Sequence, residues 1–269
     1  MKRVYLEITD ACNLDCPFCS YKKGNFFMPY DQVDDYTSQI REFCNYIYLH
    51  ILGEPLLHPE SDRILDLLDR KGFHLQLVTN GTLLNRYPDL LKHDCLRKLS
   101  VSVHSYDHSN KDEHYFDTLN GLIEHNNDKT IELRFYNEET LSDTLKGYKA
   151  SLIEKYGIES TRRNDSFRLK DNVYIYTQDF FDWPSMDHPF VSDTGYCHGG
   201  IDMIAINHEG KVCLCCLDPL VLNEIGDLNK ECLKDILSSD TYLNIVKAFK
   251  EKKIVSDLCK HCSYRSRFD

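Results

Sequence analysis

The chain has 269 residues, 42% hydrophobic and 28% charged, and its 32 Lys and Arg against 43 Asp and Glu give a formal net charge of −11. A chain of this length buries enough surface to fold without disulfides, and with no Lys/Arg-rich run to neutralise a phosphate backbone it is not expected to bind nucleic acid. No stretch reaches the roughly 18 apolar residues of a membrane span, and Glu7 and Asp10 interrupt the start before a signal peptide could form. No membrane association and a reducing, cytoplasmic setting are therefore expected, where twelve cysteines in two groups read as ligands or catalytic thiols.

Residues 4–9 form the first expected strand, and Cys12-Asn13-Leu14-Asp15-Cys16-Pro17-Phe18-Cys19 follows it, at the strand end where parallel α/β sheets place their sites. Asp31 is the expected cap of a helix whose Val33, Tyr36, Ile40 and Phe43 share one face. A strand over 46–52 precedes a helix bearing Ile64, Leu67 and Leu68, which Gly72 ends; a third strand, 73–78, runs to the Asn80-Gly81 turn. Helical residues over 83–91, a strand over 98–104, a helix around Phe116, Leu119, Leu122 and Ile123, and a strand over 130–136 continue the pattern. Strand then helix, repeated, predicts an α/β fold with a parallel sheet and crossover helices, open or curled into a barrel.

Side chains alternate between the faces of a strand. Leu99, Val101 and Val103 oppose Ser100, Ser102 and His104, while Ile131, Leu133 and Phe135 oppose Glu132 and Arg134. Val4, Leu6 and Ile8 oppose Tyr5, Glu7 and Thr9 in the same way. A parallel sheet covered by helices on both faces is apolar on both, so one face here is expected to line a ligand cavity. Glu7, His50, Gln76 and His104 are the candidates on it for contact with substrate. The pattern dissolves over 157–195 apart from a strand at 173–177, which divides the chain into a domain over 1–180 and a cysteine-rich one over 181–269. The second contains an expected hairpin, 203–207 and 211–214 joined at Glu209-Gly210, and a helix over 233–250.

Three thiolates on one tight loop hold three irons of a cubane cluster and leave the fourth open to chemistry. The alternative, a zinc knuckle, wants a fourth ligand and normally a second C-x-x-C close by. With Leu52-Gly53-Glu54-Pro55 at the end of the second strand, the C-x-x-x-C-x-aromatic-C spacing resembles the radical S-adenosylmethionine (radical SAM) family. The resemblance implies a partial (β/α)6 barrel with a polar interior and a [4Fe–4S] cluster held by Cys12, Cys16 and Cys19. S-adenosylmethionine chelates the open iron, and one electron splits it into methionine and a 5′-deoxyadenosyl radical that takes hydrogen from a substrate. Phe18 matches the aromatic beside the adenine, Gly53 and Glu54 the motif receiving the methionine ammonium, and Ser102 and Arg134 the strand positions touching ribose and carboxylate. A flavodoxin- or ferredoxin-like electron donor is implied as partner.

Cys197, Gly210, Cys215 and the pair Cys259 and Cys262 resemble the twitch module, a shortened relative of the SPASM domain, a small β-hairpin plus helix that binds an auxiliary [4Fe–4S] cluster. The module's spacing after Gly210 selects Cys215, with Cys213 and Cys216 as rivals because one register slip in a hairpin exchanges them. A zinc ribbon on the same four thiolates is the alternative. Cys44, Cys95 and Cys232 read as ordinary thiols. The implied activity is a net oxidation or modification of a peptide or of a small polyol or amino sugar, with the auxiliary cluster taking the second electron. The molybdenum-cofactor branch of the family ends in Gly-Gly, whereas this chain ends Ser266-Arg267-Phe268-Asp269; with eleven residues before Cys12, no N-terminal peptide-binding domain is expected, and a separate partner is the substitute for one. A non-catalytic iron–sulfur sensor or partner-binding scaffold is the competing reading.

Overall fold

The computed structural model describes residues 1–19, 23–163 and 166–268. The chain runs β1 (Arg3–Leu6), α1 (Tyr30–Arg41), β2 (Tyr46–Tyr48), α2 (Ser61–Arg70), β3 (His74–Thr79), β4 (Leu96–Ser102), α3 (Tyr115–His125), β5 (Thr130–Tyr136) and α4 (Asp143–Tyr156). It continues with β6 (Glu159–Arg163), β7 (Ser166–Lys170), β8 (Val173–Gln178), β9 (Met203–Ile206), β10 (Lys211–Cys213) and β11 (Glu224–Asp227), then α5 (Leu233–Ser238), α6 (Asp240–Lys250) and α7 (Asp257–Lys260). All eleven strands form one open sheet in the order β11-β10-β9-β1-β2-β3-β4-β5-β8-β7-β6. From β9 to β8 the neighbours are parallel, and an antiparallel pair extends each edge.

The register aligns apolar with apolar: Val4 lies opposite Ile47 and Ile204, Leu99 opposite Leu77 and Ile131, and Ile131 opposite Val173. A slip of one residue would turn every one of these side chains to the other face. They pack against Val33, Ile40, Ile64, Leu68, Leu119 and Ile123 of the helices, all essentially buried, each contributing roughly 1.5–3 kcal/mol by leaving water. Helices thus cover one face, and the other holds the expected polar groups of a partial barrel.

Several elements differ from expectation for identifiable reasons. Helix α1 starts at Tyr30 with Pro29 at its N-cap, so Asp31 lies in the first turn and makes no cap bond; its charge there complements the helix dipole. Strand β2 stops at Tyr48, because the chain beyond it is drawn to the end of β1 by bonds from Leu52 N–H to Glu7 and Glu54 N–H to the Ala11 carbonyl. Residues 83–91 form two short 3-10 turns, Leu84–Arg86 and Leu90–Lys92, since Pro88 forces Tyr87 out of helical geometry. The expected helix over 233–250 is two helices, parted at Ser239, whose hydroxyl accepts from Tyr242 N–H to cap α6. Helix α4, β11 and the β6–β7 pair had no assignment from sequence. The isolated strand at 173–177 becomes β8, sixth of the barrel strands and parallel to β5.

Candidate functional site

At the end of β1 the chain leaves the sheet and returns. Thr9 Oγ1 donates to the Phe26 carbonyl at 2.6 Å, Phe26 N–H to Asp10 Oδ1 at 2.9 Å, and Met28 N–H to the Ile8 carbonyl at 2.8 Å. These bonds hold up a loop that presents Cys12, Cys16 and Cys19 to a cavity of about 190 Å³. The sulfurs are already addressed as acceptors: Leu14 N–H lies 3.4 Å and Asn80 Nδ2 3.8 Å from Cys12 Sγ, and the Ser105 hydroxyl bonds to Cys16. Burial, offset in part by Ser105 and reinforced by Cys12 and Cys19, pushes the Cys16 thiol up to about 11. A metal cluster displaces such protons when it binds.

Gly53, Glu54, Ser102, Phe18 and His50 line the same cavity. Gly53 has φ +73°, and a Cβ there would stand 2.2 Å from the Thr9 carbonyl oxygen, so the glycine is demanded by close approach of the loop to β1. The buried Glu54 carboxylate accepts from Asn80 N–H at 2.7 Å and Leu56 N–H at 3.1 Å. Burial outweighs these bonds and one from Thr79, raising Glu54 to about 7. Phe18 stacks on Phe180 with centroids 4.3 Å apart.

The remaining candidates separate. His104 lines an adjoining aromatic cavity of about 140 Å³ with Phe18, Tyr136 and Trp183, and burial lowers it to about 4. Arg134 is held by Glu132, with Nε 2.7 Å from Oε1; burial pushes Glu132 upward, but Arg134 and Lys98 together outweigh it and keep the carboxylate below its ordinary range. Gln76 accepts from Tyr48 Oη at 2.6 Å. Glu7 is turned to the chain itself: one oxygen takes Leu52 N–H, the other takes His208 N–H and Nδ1. Neither Glu7 nor Gln76 lines the cavity beside the cysteine loop.

A second cavity, about 300 Å³, is lined by Cys197, Cys215, Cys259 and Cys262. Cys213 turns away, its thiol donating to the carbonyls of Cys215 and Asp218. Cys216 also reaches the cavity, where the Tyr5 hydroxyl donates to it. Asn223 Nδ2 lies 3.6 Å from Cys259 Sγ, and the buried Arg265 ties the carbonyls of Cys259, Thr194 and Ser192 together. Among the described residues, the one trio with ligand atoms all within 4.8 Å of one another is Asp66, Asp69 and His93; neither cysteine set is that tight. A single tetrahedral zinc, about 2.3 Å from each sulfur, draws its thiolates to about 3.8 Å of one another. A four-iron cube, with one sulfur per corner, holds them further apart, and its ligands are thiolates, which both cavities present. Between the cavities lie Tyr5 and Tyr48, stacked at 4.3 Å, with His50 edge-on to both. Asn80, Ser105, Trp183 and His208 were not singled out from sequence as site residues; only Asn80 had been marked, as part of the Asn80-Gly81 turn.

A partial barrel with a three-cysteine loop on one cavity and five cysteines lining a second presents the thiolate donor sets of an iron–sulfur protein. The family comparisons agree: residues 6–134 match the radical SAM superfamily and residues 197–263 an iron–sulfur cluster-binding domain, SPASM. The chain belongs to the radical SAM superfamily and carries a C-terminal auxiliary-cluster domain. Its cofactors are accordingly S-adenosylmethionine with a [4Fe–4S] cluster, and an auxiliary iron–sulfur cluster.

Among curated proteins it is 36% identical over 89 residues to the tungsten-containing aldehyde ferredoxin oxidoreductase cofactor-modifying protein of Pyrococcus furiosus, covering 31% of this chain and 25% of that one. It is 31% identical over 114 residues to the GTP 3′,8-cyclase of Staphylococcus saprophyticus, covering 38% and 34%. The matches thus span a quarter to about a third of those relatives. Among solved structures, BtrN with AdoMet and 2-DOIA aligns with TM-score 0.57 at 17% identity over 97% of this chain and 92% of that one. SuiB of Streptococcus suis bound to precursor peptide SuiA gives 0.61 at 12% over 99% and 72%, and anSMEcpe with AdoMet and Cp18Cys peptide 0.62 at 14% over 98% and 86%. At these identities the likeness is one of fold. No helix among the described residues is long and apolar enough to cross a membrane.

Proposed function

We propose that the protein is an oxidoreductase that removes a hydrogen atom from a peptide or a small polyol or amino-sugar substrate and completes a net oxidation or modification with the auxiliary cluster as electron acceptor. The observation that carries this reading is the placement of both cysteine cavities on the polar interior of one sheet, with Tyr5, Tyr48 and His50 between them. S-adenosylmethionine on a reduced [4Fe–4S] cluster supplies the hydrogen-abstracting radical. Cys12, Cys16 and Cys19 hold that cluster; Phe18 and Ser102 wall the cofactor, and Glu54 braces the Leu52-Gly53-Glu54-Pro55 turn that receives it. Arg134, held by Glu132, offers its remaining guanidinium donors toward a carboxylate. Cys197, Cys215, Cys259 and Cys262 hold the auxiliary cluster. His50 leaves its buried Nδ1 without a partner among the described residues, and burial together with Arg134 lowers its pKa to about 3. It therefore faces the cavity as a neutral imidazole suited to a substrate hydroxyl or amide.

The test is anaerobic reconstitution with iron and sulfide, followed by dithionite, S-adenosylmethionine and candidate polyols, amino sugars and peptides. The expected result is 5′-deoxyadenosine, increased by the true substrate, from protein holding about eight irons per chain. Full iron loading with no 5′-deoxyadenosine under any condition would instead identify a sensor or scaffold.

A further inference from the structure

Glu7 stands on the polar face near the end of β1 with 2% of its surface exposed. Its Oε1 accepts from Leu52 N–H at 2.8 Å, and Leu52 opens the Leu52-Gly53-Glu54-Pro55 turn. Its Oε2 accepts from His208 N–H at 3.1 Å and faces His208 Nδ1 at 2.7 Å. The other ring nitrogen, Nε2, lies 3.5 Å from Asp10 Oδ2, and Asp10 Oδ1 takes Phe26 N–H at 2.9 Å. Phe26 also leans on the imidazole, with centroids 5.5 Å apart. One chain of contacts therefore runs from Leu52 through Glu7 and His208 to Asp10. Its two ends, Leu52 and Asp10, both line the cavity that holds the three-cysteine loop.

We propose that His208, at the tip of the β9–β10 hairpin, is a positioning residue for the S-adenosylmethionine cavity, clamping the glycine-bearing turn and the cysteine loop at a fixed separation. The inference rests on the reading of that cavity as the S-adenosylmethionine site. The clamp comes from the auxiliary-cluster half of the chain, which thereby sets the affinity of the other half for its cofactor. His208 lines neither cysteine cavity. Its effect passes through the two loops, as the outer partners of metal ligands act through the ligands they orient.

The test uses the full chain, reconstituted anaerobically, with S-adenosylmethionine as the probe. His208→Leu is expected to weaken cofactor binding about tenfold, read as a dissociation constant from the change the cofactor makes in the reduced cluster's EPR spectrum. Iron content and the auxiliary cluster's own signal should stay unchanged. Substrate-free formation of 5′-deoxyadenosine should fall at low cofactor and recover at saturation, a split that general unfolding does not produce. His208→Gln, which keeps a donor toward Glu7 and loses the reach to Asp10, should show a smaller shift of about threefold; it carries the comparison if the Leu variant loads iron poorly. Wild-type affinity in an iron-replete variant overturns the clamp. Failure of the wild type itself to bind S-adenosylmethionine overturns the reading of the cavity, and the clamp with it.

Discussion

A Cβ at Gly53 would meet the Thr9 carbonyl at 2.2 Å, and the residue sits at φ +73°, a region side chains enter at a cost of roughly 1–2 kcal/mol before any clash. Gly53→Ala should therefore lose about 2 kcal/mol or more of stability in chemical denaturation and bind S-adenosylmethionine more weakly. The cysteines permit a sharper comparison. Cys215→Ala should retain about four irons of eight, whereas Cys213→Ala, whose thiol bonds to backbone carbonyls outside the second cavity, should retain about eight. Cys12, Cys16 and Cys19 stand close in the sequence, and the structure puts all three on one cavity. The partner of Glu7 was not legible there: what occupies its carboxylate is His208, 201 residues away, and no local pattern announces such a partner. Sequence placed Glu7 on the right face and left its neighbours unknown.

Strands and helices were legible where their apolar period was strong, and boundaries failed where a single residue overrode it. Ser239 is one such residue: periodicity runs through it, yet its hydroxyl caps α6 at Tyr242 N–H. Ser239→Ala should cost about 1 kcal/mol in thermal or urea unfolding, with iron content unaffected. Helix α4 escaped notice because it carries Gly147 and buries only Leu145, Tyr148, Lys149 and Leu152, a weak stripe with a lysine in it. Strand β8 was seen as an isolated strand where the pattern dissolves, not as a neighbour of β5. Of the two intervening short strands, β7 pairs antiparallel with β8 and β6 with β7, which breaks the strand-helix alternation that revealed its predecessors.

At the scale of the molecule, β9 lies parallel to β1 and makes the two halves of the chain one sheet. Without β9, β1 is a bare edge with unpaired backbone groups, so a chain ending at Gln178 should elute as aggregates in size-exclusion chromatography. The same junction should respond to pH. The bond to Glu7 raises His208 above its ordinary value of 6.5 against the opposing effect of burial, with the charges of Glu7, Asp10 and Glu209 adding to it. Its contribution is complete below about pH 6.5 and disappears as pH rises through the folded value. The thermal midpoint should accordingly fall on the alkaline side of neutrality, and less so in His208→Gln. The sequence by itself determined the two sets of cysteines, the polar face and the first five strands, because each is written in spacings of a few residues. Only the tertiary structure decided that Cys213 turns away, that Glu7 is occupied and that the C-terminal hairpin completes the sheet beside β1. Those depend on which distant segments compete for the same hydrogen bonds and the same sheet edge.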